Sequence, residues 1–137
     1  MILVTGAEGC IGSALVRQIN EEGIKDIILV DKLRHEDKWK NIAKREYYDW
    51  VDRDELFDWL KVEENAKKID VIVHMGAISA TTETDGDLLM KNNYEFSKKL
   101  WDFATERKIQ YIYASSAATY GMGEDGYEDN IDLITMN

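Results

Sequence analysis

Short apolar runs alternate with longer, mixed segments along most of the chain. Met1–Thr5 reads as a buried strand, and Cys10–Glu22 as a helix with Ile11, Leu15 and Ile19 on one stripe. Gly23 suits the C-terminal cap of that helix. Within Asp26–Asp31, Ile27-Ile28-Leu29-Val30 is a continuous apolar run, the pattern of a strand covered on both faces. Lys32–Arg45 is polar and reads as loop, and Tyr47–Val51 as a short third strand. Asp52–Glu64 has helical spacing at Leu56 and Leu60, with Asp52 or Asp54 as the N-cap. Ile69–His74 predicts a fourth strand. Asp87–Arg107 predicts one long helix bearing Phe96, Leu100 and Phe103, and Ile109–Ala114 a fifth strand. After Gly121 the pattern fades into an acidic, glycine-containing tail.

Alternation of this kind predicts an α/β fold, a doubly wound parallel sheet of Rossmann type with helices on both faces. Right-handed crossovers give the expected strand order 3-2-1-4-5. Ligands of such sheets bind at the carboxyl ends of the strands, where the order reverses beside the first strand. Residues 1–121 are expected to form a dinucleotide-binding domain that stops after about the fifth strand, and 122–137 a loop or tail.

Composition narrows the partners. The chain has 137 residues with 27 acidic and 17 basic side chains, a net charge of −10. That balance argues against nucleic acid and anionic membrane surfaces. One cysteine, no membrane-length apolar run and no basic signal-type start make a cytoplasmic protein the expectation. No repeat or low-complexity tract is present, and proline is absent.

The strongest local pattern is Gly6-Ala7-Glu8-Gly9-Cys10-Ile11-Gly12, between the first strand and first helix. Glycines at Gly6, Gly9 and Gly12 let backbone approach a pyrophosphate, and the helix N-terminus adds partial positive charge. Asp31 ends the second strand, where a carboxylate accepts hydrogen bonds from a ribose hydroxyl. Lys32, Arg34 and Lys38 follow it, and cations there suit the 2′-phosphate of NADP. Asp31 itself repels that phosphate, so NADP and NAD both stay open.

His74 ends the fourth strand ahead of Met75-Gly76-Ala77-Ile78-Ser79 and reads as a hydrogen-bonded residue near the core. No acidic or histidine cluster joins it as a metal site. His35 reads as solvated, and Cys10 as a packing residue. Tyr113-Ala114-Ser115-Ser116-Ala117-Ala118-Thr119-Tyr120-Gly121 places hydroxyls at the end of the fifth strand. A serine there hydrogen-bonds a substrate oxygen as it becomes a carbonyl.

These segments, with Asn92-Asn93-Tyr94-Glu95-Phe96-Ser97-Lys98, resemble the extended short-chain dehydrogenase/reductase superfamily. Gly76-Ala77-Ile78-Ser79-Ala80-Thr81-Thr82-Glu83 and Tyr113–Gly121 resemble the ADP-L-glycero-D-manno-heptose 6-epimerase family within it. The resemblance runs from Met1 to about Gly121. It implies a bound NADP or NAD that oxidises a sugar carbon transiently and returns hydride to its other face. The substrate class it implies is an ADP-heptose made for the lipopolysaccharide inner core. By position it implies cofactor contacts from Cys10, Ile11, Asp31, Lys32, Lys38, Arg53, Met75–Ser79 and Asn92. It makes Ser116 a member of the catalytic set.

One departure stands out. The superfamily's Tyr-x-x-x-Lys helix, in which lysine lowers the tyrosine pKa, has no counterpart after Ser116. Tyr94 and Lys98 match its spacing but precede the serine strand, and family members carry a similar stretch there beside the real pair. The chain by itself is therefore expected to be an inactive N-terminal portion of such an enzyme. Another nucleotide-sugar epimerase or dehydratase is one alternative, and a non-catalytic dinucleotide-binding module is the other. An open fifth-strand edge leads to the further expectation of self-association.

Overall fold

The computed structural model describes residues 1–33, 37–80, 82–116, 120–123 and 126–127. Arg34, His35, Thr81 and Ala117–Thr119 lie outside the described residues, as do 128–137 of the tail. Five parallel strands, β1 (Ile2–Thr5), β2 (Ile27–Asp31), β3 (Asp49–Asp52), β4 (Val71–His74) and β5 (Gln110–Tyr113), form one sheet. Its order is β3-β2-β1-β4-β5, as the alternation predicts. Register aligns the ends: Thr5 sits opposite Val30 and His74, Asp31 opposite Asp52, and His74 opposite Tyr113. The carboxyl ends of β1, β2 and β4 therefore open at one level.

Strand alternation divides the core between two faces. Leu3, Ile28, Val30 and Ile72 point to one, where Leu56 and Leu60 of α2 (Leu56–Lys61) and Phe96, Leu100 and Ala104 of α5 (Phe96–Arg107) cover them. Val4, Ile27 and Leu29 point to the other, beneath Val16 of α1 (Cys10–Glu21) and Ile42. Ile27–Val30 are all fully buried, so the uninterrupted apolar run of β2 reflects covering on both sides.

The α1 stripe differs from expectation. Ile11 is 70% exposed, and Gly12, Ser13 and Val16 are the buried positions, with Leu15 and Ile19 partly buried beside them. The first turn of α1 faces the open end of the sheet, so its apolar residue meets no sheet face. Gly23 follows the helix with φ +81°.

The 32–45 segment contains a short 3₁₀ turn at Asp37–Asn41. The third strand starts two residues later than expected, at Asp49. The segment expected as a helix over Asp52–Glu64 breaks at extended Val62 into α2 and α3 (Glu63–Ala66). Glu55 occupies the N-cap position without a side-chain cap, and Asp52 Oδ1 instead accepts from Asp54 N at 2.8 Å.

The long helix also divides. Asp85 caps α4 (Gly86–Leu89) by accepting from Leu88 N, Met90–Glu95 forms a π-helical turn, and α5 continues from Phe96. The burial period of four through Asn92, Phe96, Leu100 and Ala104 is unbroken, which is why sequence spacing alone reads as one helix. Single π turns of this kind concentrate at functional sites. Lys108 ends α5 in the left-handed region at φ 56°.

Candidate functional site

The site begins with two backbones in contact. Gly6, at φ +66°, lies so close to β4's continuation that a Cβ there would sit 2.7 Å from Gly76 Cα. A Cβ on Gly12 would sit 2.1 Å from the Gly6 carbonyl oxygen. Neither obstacle is a side chain that can swing away, so both positions require glycine. Gly9 accepts from Ser13 N at 2.9 Å and donates to Gly6 O at 3.0 Å, which fixes the turn into α1. As N-cap, Gly9 supplies no side chain to cap that helix.

Asp31 lies across the crevice from this loop. Its Oδ2 accepts from Glu8 N and its Oδ1 from Lys32 N, both at 2.8 Å. The carboxylate is thereby oriented, and each oxygen keeps lone-pair capacity for a ligand hydroxyl. Lys32 Nζ pairs with Asp54 Oδ2. Arg53 bonds Asp54 Oδ1 through Nε and Nη2 at 3.2 and 3.1 Å, and Asn92 Oδ1 through Nη1. Hydrogen bonds from Lys32 and Arg53 hold the Asp54 carboxyl below its usual range despite some burial.

A crevice of about 370 Å³ joins these parts. Of the residues expected in the site, it is lined by Gly6, Gly9, Asp31, Lys32, Lys38, Arg53, Met75–Ser79 and Asn92. Cys10, Ile11 and Gly12 do not line it. Cys10 and Ile11 are exposed in the first turn of α1, and Gly12 is buried against Gly6. A neighbouring cavity of about 680 Å³ shares Met75–Ser79 and reaches Tyr94, Lys98, Tyr113, Ser115 and Ser116. Ser116 is exposed there. Backbone of the segment after β4 thus forms the floor common to both spaces.

A polar chain that sequence reading missed ties that floor down. Gly76 N–H donates to Thr5 Oγ1 at 3.1 Å, and Thr5 Oγ1 lies 2.5 Å from His74 Nδ1. His74 Nε2 lies 2.7 Å from Ser97 Oγ, which donates to Asn93 O at 2.6 Å. Since the Ser97 hydroxyl proton goes to Asn93, Nε2 carries the ring proton and Nδ1 accepts from Thr5. Burial pushes the imidazole down to about 4, consistent with this neutral tautomer. Asn93 closes the circuit by pairing with the backbone of Ile78, accepting from its N at 2.8 Å and donating to its O at 2.9 Å. The placement of His74 as a hydrogen-bonded residue near the core therefore holds, and its partners are long-range contacts with no local signal.

Tyr94 and Lys98 sit beside the larger cavity. Lys98 Nζ bonds Asp102 Oδ2 at 3.0 Å, and this bond raises the lysine pKa. Among the described residues, no group of three or more His, Cys, Asp or Glu is arranged to hold a metal ion. No helix among them is long and apolar enough to cross a membrane.

The NAD dependent epimerase/dehydratase family model matches residues 2–135. The chain belongs to this family. Among relatives in the NAD dependent epimerase/dehydratase family, an ADP-L-glycero-D-manno-heptose-6-epimerase of Fusobacterium nucleatum is 64% identical over 131 residues. That match covers 96% of this chain and 40% of the relative. A protein of the same description from Nitratidesulfovibrio vulgaris is 48% identical, with 95% and 40% covered. A solved UDP-glucuronic acid 4-epimerase from Bacillus cereus, in complex with UDP-glucuronic acid and NAD, superposes with a TM-score of 0.74. It is 26% identical, with 96% of this chain and 44% of that one covered. The chain thus spans about 40% of the length of the curated relatives it matches.

Proposed function

We propose that these residues form the nicotinamide-dinucleotide-binding part of an ADP-glyceromanno-heptose 6-epimerase. The observation that carries this reading is the crevice at the strand-order reversal. There the Gly6 and Gly76 backbones meet, and an oriented Asp31 carboxylate stands where a ribose would lie. The residues present fit such a cofactor: a glycine turn opens one side, backbone of Met75–Ser79 forms the floor, and Asp31 offers acceptors. Residues 1–121 would hold it, with Gly6, Gly9, Asp31, Lys32, Lys38, Arg53, Met75–Ser79 and Asn92 around it. Cys10, Ile11 and Gly12 would contribute through the backbone of the first turn. When bound, the cofactor supplies a reversible hydride acceptor.

Ser116 would hydrogen-bond the substrate oxygen at the reacting carbon. Identity of 64% to a named heptose epimerase favours ADP-heptose over other nucleotide sugars. Catalysis also calls for a tyrosine whose pKa a lysine lowers, and residues after Ser116 contain no Tyr-x-x-x-Lys. The proposed epimerase activity is accordingly that of a polypeptide that carries such a pair. Within the same proposal the protein acts in the cytoplasm, and copies associate through β5, where Ile112 and Tyr113 are exposed.

Calorimetric titration of the chain with NAD and with NADP tests the binding role. Saturable binding of either supports it, and no binding of either at millimolar concentration sinks it. Turnover of ADP-heptose by a polypeptide with the catalytic pair tests the substrate. Turnover of UDP-hexoses alone would move the assignment to another enzyme of the family. A monomer by light scattering would remove the self-association claim.

A further inference from the structure

The glycine turn contains a residue that reaches past its nearest strand. Gly6 N–H and Ala7 N–H both bond the Val30 carbonyl, at 2.9 and 3.4 Å, so backbone ties the turn to the end of β2. Glu8 extends further. It is fully buried, and its Oε1 accepts from Trp50 Nε1 on β3 at 3.1 Å. Its carbonyl accepts from Asn41 Nδ2 at 2.7 Å, at the end of the 3₁₀ turn that carries Lys38. Its N–H donates to Asp31 Oδ2 at 2.8 Å. One residue therefore joins the glycine turn to β2, to β3 and to the 3₁₀ turn.

A carboxyl group buried in this way is unfavourable unless it is bonded. Burial, and then Asp31, push it above the usual carboxylate range. The Trp50 bond is the largest influence in the opposite direction, ahead of the Lys38 cation. Oε2 has no hydrogen-bond partner among the described residues, so the bond from the indole to Oε1 is what anchors the side chain. Asp31 shows what that anchor serves. One of its oxygens accepts from Lys32 N, the adjacent residue, and the other from Glu8 N, across the crevice. The Lys32 bond is local to the end of β2. The Glu8 bond sets the carboxylate relative to the glycine turn, and it holds only while the Glu8 peptide is fixed.

We infer that Glu8 is a positioning residue for the dinucleotide: its side chain, held by Trp50, fixes the Glu8 peptide, and that peptide aims the Asp31 carboxylate at the ribose. This rests on the dinucleotide reading proposed above and adds to it a residue that works through Asp31. A site whose groups are already oriented loses less conformational freedom when a ligand binds, and this raises affinity. The tether acts on the orientation of Asp31, whichever of the two dinucleotides is bound.

The test is calorimetric titration of the whole chain with NAD and with NADP, well below the denaturation midpoint of each variant. The dinucleotide that the wild type binds more tightly is followed through Glu8→Ala, Glu8→Gln, Trp50→Phe and the double variant Glu8→Ala, Trp50→Phe. Glu8→Ala is expected to weaken binding by about tenfold, the effect of losing one buried hydrogen bond. Glu8→Gln keeps an acceptor for the indole and should recover most of that affinity. Trp50→Phe should weaken binding too, and the double variant should lose no more than Glu8→Ala alone. A purely structural role would lower the denaturation midpoint and leave the affinity of folded protein unchanged, overturning the inference. So would additive losses in the double variant, or a folded glutamine variant as weak as the alanine one. Asn41 is exposed, so Asn41→Ala decides the matter if the Glu8 variants do not fold. It frees the Glu8 carbonyl and should weaken binding, and unchanged affinity there overturns the inference. Wild-type chain that binds neither dinucleotide would sink the dinucleotide reading itself, whereas wild-type binding with unmoved variants sinks only the role of Glu8.

Discussion

The two sides of β1 are finished differently. Toward β2 the sheet is closed: Ile27–Val30 are fully buried and both Asp31 carboxylate oxygens accept a backbone N–H. Toward β5 it is open: Ile112 and Tyr113 are about half exposed, Trp101 of α5 is 53% exposed, and Ser115 and Ser116 are exposed. Contacts among the described residues thus organise the end that would hold an adenosine, and leave the end that would hold the reacting sugar more exposed. Cofactor recognition is a property of local strand ends and one turn. The proposed role of Ser116 belongs to the more exposed side.

The largest effect should come from the closed side. Gly12→Val places carbon where the Gly6 carbonyl already stands, and the obstacle is backbone. We expect destabilisation of about 4 kcal/mol or more and loss of dinucleotide binding, read by urea denaturation and calorimetry. A variant that folds and binds normally would show that the turn is not the organising element.

Next, matched core deletions compare the two sides directly. Leu29→Ala should cost about 2–5 kcal/mol, because Leu29 is fully buried between two covered faces. Ile112→Ala should cost less than about 1 kcal/mol, because the side chain is already 45% exposed. Equal losses in chemical denaturation would mean that β5 is covered in solution, and would favour self-association over an open edge.

The His74 relay lies between the two sides, and pH reads it. An unfolded imidazole protonates near 6.5, and the buried one at about 4. Folding therefore favours the neutral ring. Its contribution is fully present above pH 6.5 and is lost as pH falls toward 4. The loss amounts to about 3 kcal/mol across that window. His74→Gln should flatten this part of the pH profile, and subtracting the two profiles removes the carboxylates that titrate in the same range. Parallel profiles would break the neutral-tautomer assignment.

How far these features were legible depends on the range of the forces behind them. The glycine turn, the β2 run and the strand order follow from local spacing and from the handedness of crossovers, so Gly6–Gly12 and Asp31 could be placed together from sequence. The breaks could not. Val62 interrupts a segment whose Leu56 and Leu60 keep helical spacing, and the π turn at Met90–Glu95 preserves the burial period of four. Ile11 counts as apolar in any periodicity, yet the sheet ends before reaching it. Glu8 draws no reading of its own from the sequence, because the Trp50 that bonds it lies forty-two residues away. The only hint was chemical: a carboxylate is out of place in a turn shaped for a pyrophosphate.

The smallest effect should come from Tyr94 and Lys98, which border the open cavity and share the spacing of a catalytic pair. Lowering a phenol's pKa requires a lysine whose charge is directed at it. The hydrogen bond of Lys98 goes to Asp102, four residues along the same exposed helix face, and that bond is the largest influence on the lysine, ahead of its weaker interaction with Tyr94. Tyr94 is 61% exposed on the π turn, while its neighbours Asn92 and Asn93 make the contacts inward. The double variant Tyr94→Phe, Lys98→Met should therefore leave the denaturation midpoint and the affinity for NAD unchanged within error. In a polypeptide that also carries a downstream tyrosine–lysine pair, it should leave kcat for ADP-heptose unchanged as well. A drop in kcat with KM and stability intact would place proton transfer on the exposed helix face, and would make the open side of β1 the better-equipped one.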